Sequence, residues 1–250
     1  MGFIVKLLVA MLQGYREWTE SLGADREWLI QARQAELHMS VSVEAARHGG
    51  LAIPFRHDTI LVLASGASST LSDGINAVLS ERAPVPHRIR IGCGETPAEA
   101  LDNAFYDREA CEGREAAVLA HVDINNITGL QQREGLYSAW DRVVRMLADL
   151  HAKLADYGVI VSYLGGDNII AVLPARPEPL LLLEDVVEAH DAKAGVGFAR
   201  VARKAMMLAT LCLDRIRVER RGPRVRFCGE EGLVEEGELR SFEWETGGKL

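Results

Sequence analysis

The sequence lacks three features that would assign it to particular protein classes, and the first is an excess of basic residues. The 250-residue chain carries a net charge of −8, so we predict no nucleic-acid partner, which would require a basic surface to neutralise phosphates. The second is a membrane-spanning run: the apolar stretch from Phe3 to Leu12 is about half the roughly 20 residues required and contains Lys6. No signal-peptide cleavage pattern follows this stretch, and we therefore predict a cytoplasmic protein with no membrane partner.

The third missing feature is a CxxC pair. Cys93, Cys111, Cys212 and Cys228 are scattered, and three of them lie in apolar or strand-like surroundings. This spacing favours reduced core cysteines of a cytosolic protein over disulfides or zinc ligands. What is present is an ordinary globular composition, with 48% apolar and 26% charged residues, in a chain long enough for one large domain or two smaller ones.

Hydrophobic periodicity predicts the same series of elements twice along the chain. Each half reads strand, helix, strand, strand, helix, strand, helix. The predicted strands are 3–12, 51–55, 60–64 and 88–94 in the first half, and 118–124, 159–164, 169–173 and 192–198 in the second. The predicted helices are 18–46, 66–82 and 97–105, then 136–157, 180–189 and 202–216. Thr96 and Glu99 form a capping-box pattern at the start of the third helix.

Like elements recur at similar offsets, which indicates an internal duplication. We therefore predict an α+β fold of two tandem ferredoxin-like (palm-type βαββαβ) domains, with antiparallel sheets and helices packed on one face. The N-terminal domain would occupy 1–113, the C-terminal domain 114–228, and an acidic tail 229–250. The matched positions are Gln13 with Asp123, Asp58 with Asp167, and Gly92-Cys93-Gly94 with Gly195-Val196-Gly197.

Two acids lie at the edges of apolar strands in the second half. Asp123 ends a strand, and Asp167 lies 44 residues later in a Gly-Gly-Asp-Asn hairpin turn. In a βαββαβ unit the end of the first strand and the turn after the second share an edge, so these side chains should meet. Two adjacent carboxylates need a proton or a bridging cation, and Mg²⁺ prefers such oxygen ligands. The alternative is an ordinary hairpin turn, with Asp123 capping the following loop.

The residues around these acids resemble the archaeal GTP cyclohydrolase III family, also called GTP cyclohydrolase IIa. The most specific matches are segments 120–125 and 165–168, which read Ala-His-Val-Asp-Ile-Asn and Gly-Gly-Asp-Asn. Further matches at 14–19, 55–64, 91–100 and 193–197 extend the resemblance through both halves. The resemblance implies palm domains related to those of nucleotide cyclases and of GGDEF-type diguanylate cyclases.

The resemblance also implies a reaction. The guanine imidazole ring of GTP would be opened between C8 and N9 in a Mg²⁺-dependent step that keeps the formyl group and releases the outer phosphates. The product would be a formylaminopyrimidine ribonucleotide monophosphate, which feeds riboflavin and deazaflavin (F420) synthesis. The implied cofactors are one or two Mg²⁺ ions, assisted by a monovalent cation such as K⁺, and we expect a homo-oligomer.

Carried onto this sequence, the resemblance assigns metal binding to Asp123, Asp167 and the Ile124 carbonyl. His121 is two residues from Asp123 on the same sheet face, and is either a catalytic proton shuttle or a structural histidine. The remaining candidates would bind substrate, with phosphates at the backbone amides of the first loop, although Lys193 and Arg203 are equally explained as solvated charges. These candidates are Asn125, Asn126, Ile127, Thr128, Gly129, Gly165, Gly166, Asn168, Lys193, Arg203 and Arg217.

Two other functions remain open. One is a nucleotide cyclase, which usually needs two sites that meet across a dimer. The first half has Gln13 and Asp58 where the second has two acids, so we predict that it does not hold the same metal pair, and a single intact half disfavours a cyclase. The other is a regulatory module that binds GTP without turnover, which would not need both Asp123 and Asp167.

Overall fold

The computed structural model describes residues 2–108, 111–219, 223–230 and 232–234. Its strands are β1 (Phe3–Leu12), β2 (Leu51–Ile53), β3 (Thr59–Leu63), β4 (His87–Gly94), β5 (Arg114–Glu115), β6 (Ala117–Ile124), β7 (Ile160–Gly165), β8 (Asn168–Leu173), β9 (Ala192–Ala199), β10 (Val225–Gly229) and β11 (Gly232–Val234). Its α-helices are α1 (Tyr15–Ser21), α2 (Glu27–Arg47), α3 (Leu71–Arg82), α4 (Pro97–Tyr106), α5 (Ile127–Glu134), α6 (Leu136–Leu154), α7 (Glu178–Ala189) and α8 (Ala202–Val218).

Both halves form a sheet with the ferredoxin-like strand order, which confirms the predicted fold class. The first sheet runs β2-β3-β1-β4 and the second β7-β8-β6-β9, with antiparallel neighbours in each. β10 extends the second sheet in parallel to β9, and β11 pairs with β10. β5, directly after the boundary predicted at 113, pairs with β1 and so joins the first sheet. Of the predicted acidic tail, residues 231 and 235–250 lie outside the described residues.

The helices inside each βαββαβ unit pack on one face of its sheet, as predicted. α2 and α3 cover one face of the first sheet, and α6 and α7 cover one face of the second. A third helix of each half, α4 or α8, covers the opposite face. The two opposite faces share one apolar core, to which β1 contributes Leu7, α4 Ala104, β6 Leu119 and α8 Ala205. The two halves are therefore joined by a buried core.

Glycines in β4 and β9 allow these third helices to pack closely on the sheets. A Cβ on Gly92 would lie 2.1 Å from the Ala100 carbonyl oxygen of α4, and one on Gly197 would lie 1.9 Å from the Ala205 carbonyl oxygen of α8. Both distances are far below van der Waals contact. The same glycine-on-helix packing in both halves supports the duplication, but it corrects the predicted alignment, because Gly92 corresponds to Gly197 and not to Gly195.

Strand register corrects a second matched pair. Thr59 and Asn168 each begin the third strand of their unit; Thr59 pairs with Met11, and Asn168 pairs with Asp123. Met11 therefore occupies the position of Asp123 in the first half, and the predicted partner Gln13 lies two residues further on. The sequence could not reveal this shift because positions two residues apart carry the same period-two signal, and the strand ends at Leu12, before Gln13.

Two predicted boundaries and one predicted cap also differ from the structure. The helix predicted over 18–46 divides into α1 and α2 at Gly23, whose φ of 82° is left-handed. The loop predicted at 125–129 becomes the start of α5 after Asn126, which has a φ of 53°. Thr96 does cap α4 by accepting a hydrogen bond from the Glu99 amide at 3.1 Å, but the Glu99 carboxylate accepts from the Glu95 amide.

The prediction of reduced cysteines is wrong. Cys93 and Cys111 form a disulfide with Cα atoms 5.0 Å apart, and Cys212 and Cys228 form another with Cα atoms 6.0 Å apart. The second joins α8 to β10, a pairing that depends on how α8 lies across the sheet and that spacing alone does not reveal. Within the described ranges, no helix is both long and apolar enough to cross a membrane.

Candidate active site

The fold brings the two predicted acids together at one edge of the second sheet. Asp123 lies near the end of β6 and is the register partner of Asn168, the residue that follows Asp167. Only 8% of the Asp123 surface is exposed. The pKa of the Asp167 carboxyl is raised, first by burial and then by the negative charge of Asp123. A buried acid next to a partly buried one creates a local demand for positive charge.

Arg217, in the last turn of α8, supplies a cation at this position. Its Nη2 atom lies 3.1 Å from Asp123 Oδ2, and its Nη1 atom lies 3.0 Å from Asp214 Oδ1. Arg217, predicted to bind substrate, is therefore in direct contact with one of the two acids. Asp214, one turn earlier on α8, orients the guanidinium and was missed by the sequence analysis.

The Gly-Gly-Asp-Asn hairpin is shaped by two glycines and held by its own polar groups. Gly165 and Gly166 have φ values of 120° and 62°, which favour glycine, and a bulge interrupts the pairing between Tyr163 and Gly165. Asn168 Nδ2 donates to the Gly165 carbonyl at 3.4 Å and to Asp167 Oδ1 at 3.2 Å. Tyr163 donates its hydroxyl to the Gly166 carbonyl at 3.1 Å. The side-chain nitrogen of Asn168 therefore already has two hydrogen-bond acceptors within the hairpin.

His121 contacts this hairpin from β6. Its Nε2 atom lies 2.9 Å from Asn168 Oδ1, and its Nδ1 atom lies 3.2 Å from the Thr210 hydroxyl of α8. Burial lowers the pKa of His121 below its ordinary value. Both ring nitrogens have partners, so the geometry favours the structural histidine over the proton shuttle.

The segment after Asp123 is held by Asp191, in the turn between α7 and β9. The Asn125 amide donates to the Asp191 carbonyl at 3.0 Å, and Asn125 Nδ2 donates to the Asp191 carboxylate at 3.1 Å. Asn126 then adopts a left-handed conformation, and a Cβ on Gly129 would collide with its side chain. The predicted phosphate loop is therefore a helix N-terminus, with Ile127 and Thr128 in the first turn of α5, and free amides there favour anions.

Beside the acids lies a cleft of about 480 Å³ with a basic wall. Lys193 is the register partner of Asp123, and it has no ion-pair partner among the residues that the structure describes. Arg224 donates to the Asp191 carboxylate at 2.5 Å and was also missed by the sequence analysis. The cleft is lined by Asn125, Asp191, Lys193, Ile216, Arg217, Glu219, Pro223 and Arg224. Three cations and the two carboxylates of Asp191 and Glu219 thus meet here next to Asp123. Arg217 and Arg224 are ion-paired, so Lys193 is the lining cation best placed to meet an anionic ligand.

Arg203 is the predicted site residue that the fold does not bring to this place. It lies in the first turn of α8, about 20 Å along the helix from Arg217. There its Nη1 atom donates to the Ala46 carbonyl at 3.0 Å, and its amide donates to the Gly49 carbonyl at 3.0 Å. Its contacts are with the first half of the chain, away from the acids.

The first half does not repeat the acid pair. Met11 stands at the register position of Asp123. Asp58, which corresponds to Asp167, forms an ion pair with Arg56 at 2.7 Å. One acid neutralised by a neighbouring arginine does not create the same demand for a metal ion.

The donor set around the acids fits a magnesium ion. Asp123 and Asp167 would provide oxygen ligands at one sheet edge, with the Ile124 carbonyl as the predicted third, and Mg²⁺ is commonly held by one or two carboxylates. In the described part of the chain, no group of three or more His, Cys, Asp or Glu side chains could hold a metal ion. A closed site of the structural zinc type is thus not formed there, and a magnesium ion would need water or substrate oxygens to complete its coordination.

The structure is a duplicated palm-type α+β protein, made of two linked ferredoxin-like units. One unit carries the adjacent acids Asp123 and Asp167 beside a cleft of mixed charge. The model of the GTP cyclohydrolase III family matches residues 7–227. The chain belongs to the GTP cyclohydrolase III family.

Its relatives match along nearly their whole length. The GTP cyclohydrolase III of Aeropyrum pernix is 34% identical over 85% of this chain and 92% of the relative. That of Pyrobaculum arsenaticum is 38% identical over 86% and 95%. Among solved structures, the GGDEF domain of DgcB from Caulobacter crescentus with c-di-GMP is 20% identical with a TM-score of 0.40, covering 54% of this chain and 93% of that one. A bacterial light-regulated adenylyl cyclase is 12% identical with a TM-score of 0.37, covering 51% and 79%.

Proposed function

We propose that this protein hydrolyses GTP and opens its imidazole ring between C8 and N9. The product would be the formylaminopyrimidine ribonucleotide monophosphate, with release of the outer phosphates. The observation that carries the proposal is the adjacent pair of acids, Asp123 buried and Asp167 partly buried, beside a cleft whose lining includes three cations. A site that binds a metal ion and a polyphosphate side by side suits a nucleoside triphosphate.

We propose that Asp123, Asp167 and the Ile124 carbonyl hold one or two Mg²⁺ ions. When bound, Mg²⁺ neutralises charge on the phosphates and lowers the pKa of a coordinated water molecule. Arg217 now balances Asp123 and lies at the border of the cleft. We infer that it turns towards the substrate phosphates once another cation meets the acids.

The remaining residues of the site would bind and orient GTP. Lys193, which lies opposite Asp123 and is only partly buried, is a direct phosphate contact in this proposal. The first amides of α5, next to Asn126, would receive a second phosphate group. Asp191 would fix Asn125 and thereby the start of α5. Gly165 and Gly166 would allow the substrate to approach the hairpin backbone, because neither presents a Cβ.

Product analysis tests this proposal. The purified protein is incubated with GTP and Mg²⁺, and ultraviolet absorbance, released phosphate and product mass are followed. We expect loss of guanine absorbance, phosphate release and the mass of the ring-opened monophosphate, with no reaction in EDTA. A cyclic nucleotide would support a cyclase, and tight binding of unchanged GTP would support a regulatory module. Either outcome contradicts the proposal.

Two subsidiary expectations remain predictions. Exchange of K⁺ for Na⁺ in the same assay should lower the rate if a monovalent cation assists. Light scattering of the purified protein checks the expected homo-oligomer, since a mass near the 27.4 kDa of one chain would contradict it.

A further inference from the structure

A chain of hydrogen bonds runs from α8 to the Asp167 carboxylate. It begins at the Thr210 hydroxyl, passes through both nitrogens of His121 on β6, and continues through the Asn168 side chain on β8. The successive distances are 3.2, 2.9 and 3.2 Å. Three elements that are far apart in sequence thus converge on one acid.

The direction of this chain follows from Asn168. Its Nδ2 atom lies 3.4 Å from the Gly165 carbonyl, which can only accept, and 3.2 Å from Asp167 Oδ1, so its Oδ1 atom must face His121. An amide oxygen only accepts, and His121 must therefore carry a proton on Nε2. In the neutral ring Nδ1 is then an acceptor, and it receives the Thr210 hydroxyl. Every group donates towards Asp167.

Asp167 needs such a tether because of where it lies. It follows two glycines with positive φ, and glycine is the residue whose backbone is least restricted. The opposite acid, Asp123, is fixed by its place in β6, two residues after His121. One strand therefore both carries the first acid and restrains the second.

We propose that Thr210 and His121 are positioning residues, which hold the Asp167 carboxylate towards Asp123 through Asn168. His121 acts in the Nε2–H tautomer, and it donates its ring proton to Asn168 and not to the substrate. The consequence for turnover rests on the proposed function, whereas the hydrogen-bond chain itself does not.

Nitrogen NMR of the seven histidines tests the chain in the full-length protein without metal or nucleotide. The His121 signals are assigned by their loss in His121→Gln. We expect the Nε2–H tautomer at pH 7, and a changed Nδ1 shift in Thr210→Val, because valine keeps the shape and removes the donor. A His121 ring in the Nδ1–H or doubly protonated form, or an unchanged Nδ1 shift, would overturn the proposal.

Kinetics provide the second readout. Loss of one neutral hydrogen bond at a positioning residue should lower kcat of Thr210→Val by about 3- to 10-fold and raise the Mg²⁺ concentration for half-maximal rate, with KM for GTP within about twofold. Thr210→Ser, which keeps the hydroxyl, should restore both values. Equal kinetics in all three proteins would contradict the positioning role. If GTP is not turned over at all, the proposed function fails, and the NMR result still decides the hydrogen-bond chain.

Discussion

Reduction of the Cys212–Cys228 disulfide should destabilise the protein by an amount that can be calculated from the chain. The two residues are 16 apart, and closure of a loop of that size restricts the unfolded chain by about 3 kcal/mol. For a chain of 250 residues this corresponds to a fall in Tm of about 6–12 °C. Since the bond joins α8 to β10, the loss should also loosen the helix that carries Arg217.

The assay combines alkylation with thermal unfolding. Iodoacetamide added to the denatured, non-reduced protein should modify none of the four cysteines, and intact mass measures this directly. Reductant should then lower Tm in the wild type. The matched control is the double variant Cys212→Ala/Cys228→Ala, in which only the Cys93–Cys111 disulfide remains for the reductant to break. Four adducts before reduction, or a Tm that reductant does not change, would refute the reasoning.

Three further predictions concern packing and charge. Gly197→Ala places a Cβ 1.9 Å from a carbonyl oxygen of α8, so the free energy of unfolding in urea should fall by about 1–3 kcal/mol. An unchanged urea midpoint would contradict this close packing. Asp167→Asn should raise Tm at pH 7 in the metal-free protein, because burial and the Asp123 charge raise the pKa of Asp167 and disfavour its ionised form; a lower Tm would argue against this. Hydrogen bonds from Arg224 first, and then Asn125, lower the pKa of Asp191, so its stabilisation is present above the pKa of unfolded aspartate and lost as pH falls through the folded pKa. In Arg224→Met, stability should depend less on pH in the range where Asp191 titrates. An acid-unfolding curve identical to that of the wild type would contradict this role of Arg224.

The sequence predicts those parts of the site that depend on strand order. Asp123 and Asp167 could be placed together because the βαββαβ connection fixes which strand ends share an edge. The hairpin glycines were identifiable because tight turns require positive φ.

The parts that the sequence does not predict depend on how α8 lies across the sheet. Thr210, Asp214 and Cys212 lie on a helix whose rotation and depth are set by the glycines of β9. Arg224 and Asp191 meet because β10 extends the sheet beyond the duplicated unit. The wrong match of Gln13 to Asp123 has another origin, since positions two residues apart in the sequence carry the same period-two signal.

The most direct test of the central claim compares the same substitution at the two corresponding hairpins. Turnover of GTP is measured for Asp167→Asn and for Asp58→Asn under identical Mg²⁺ concentrations. If the second half holds the working site, Asp167→Asn loses at least about 100-fold in kcat, in line with removal of a group that stabilises charge in the transition state. Asp58→Asn, which breaks only the exposed pair with Arg56, retains most of the wild-type rate. Full activity of Asp167→Asn, or an equal loss in both variants, would contradict the assignment of the active site.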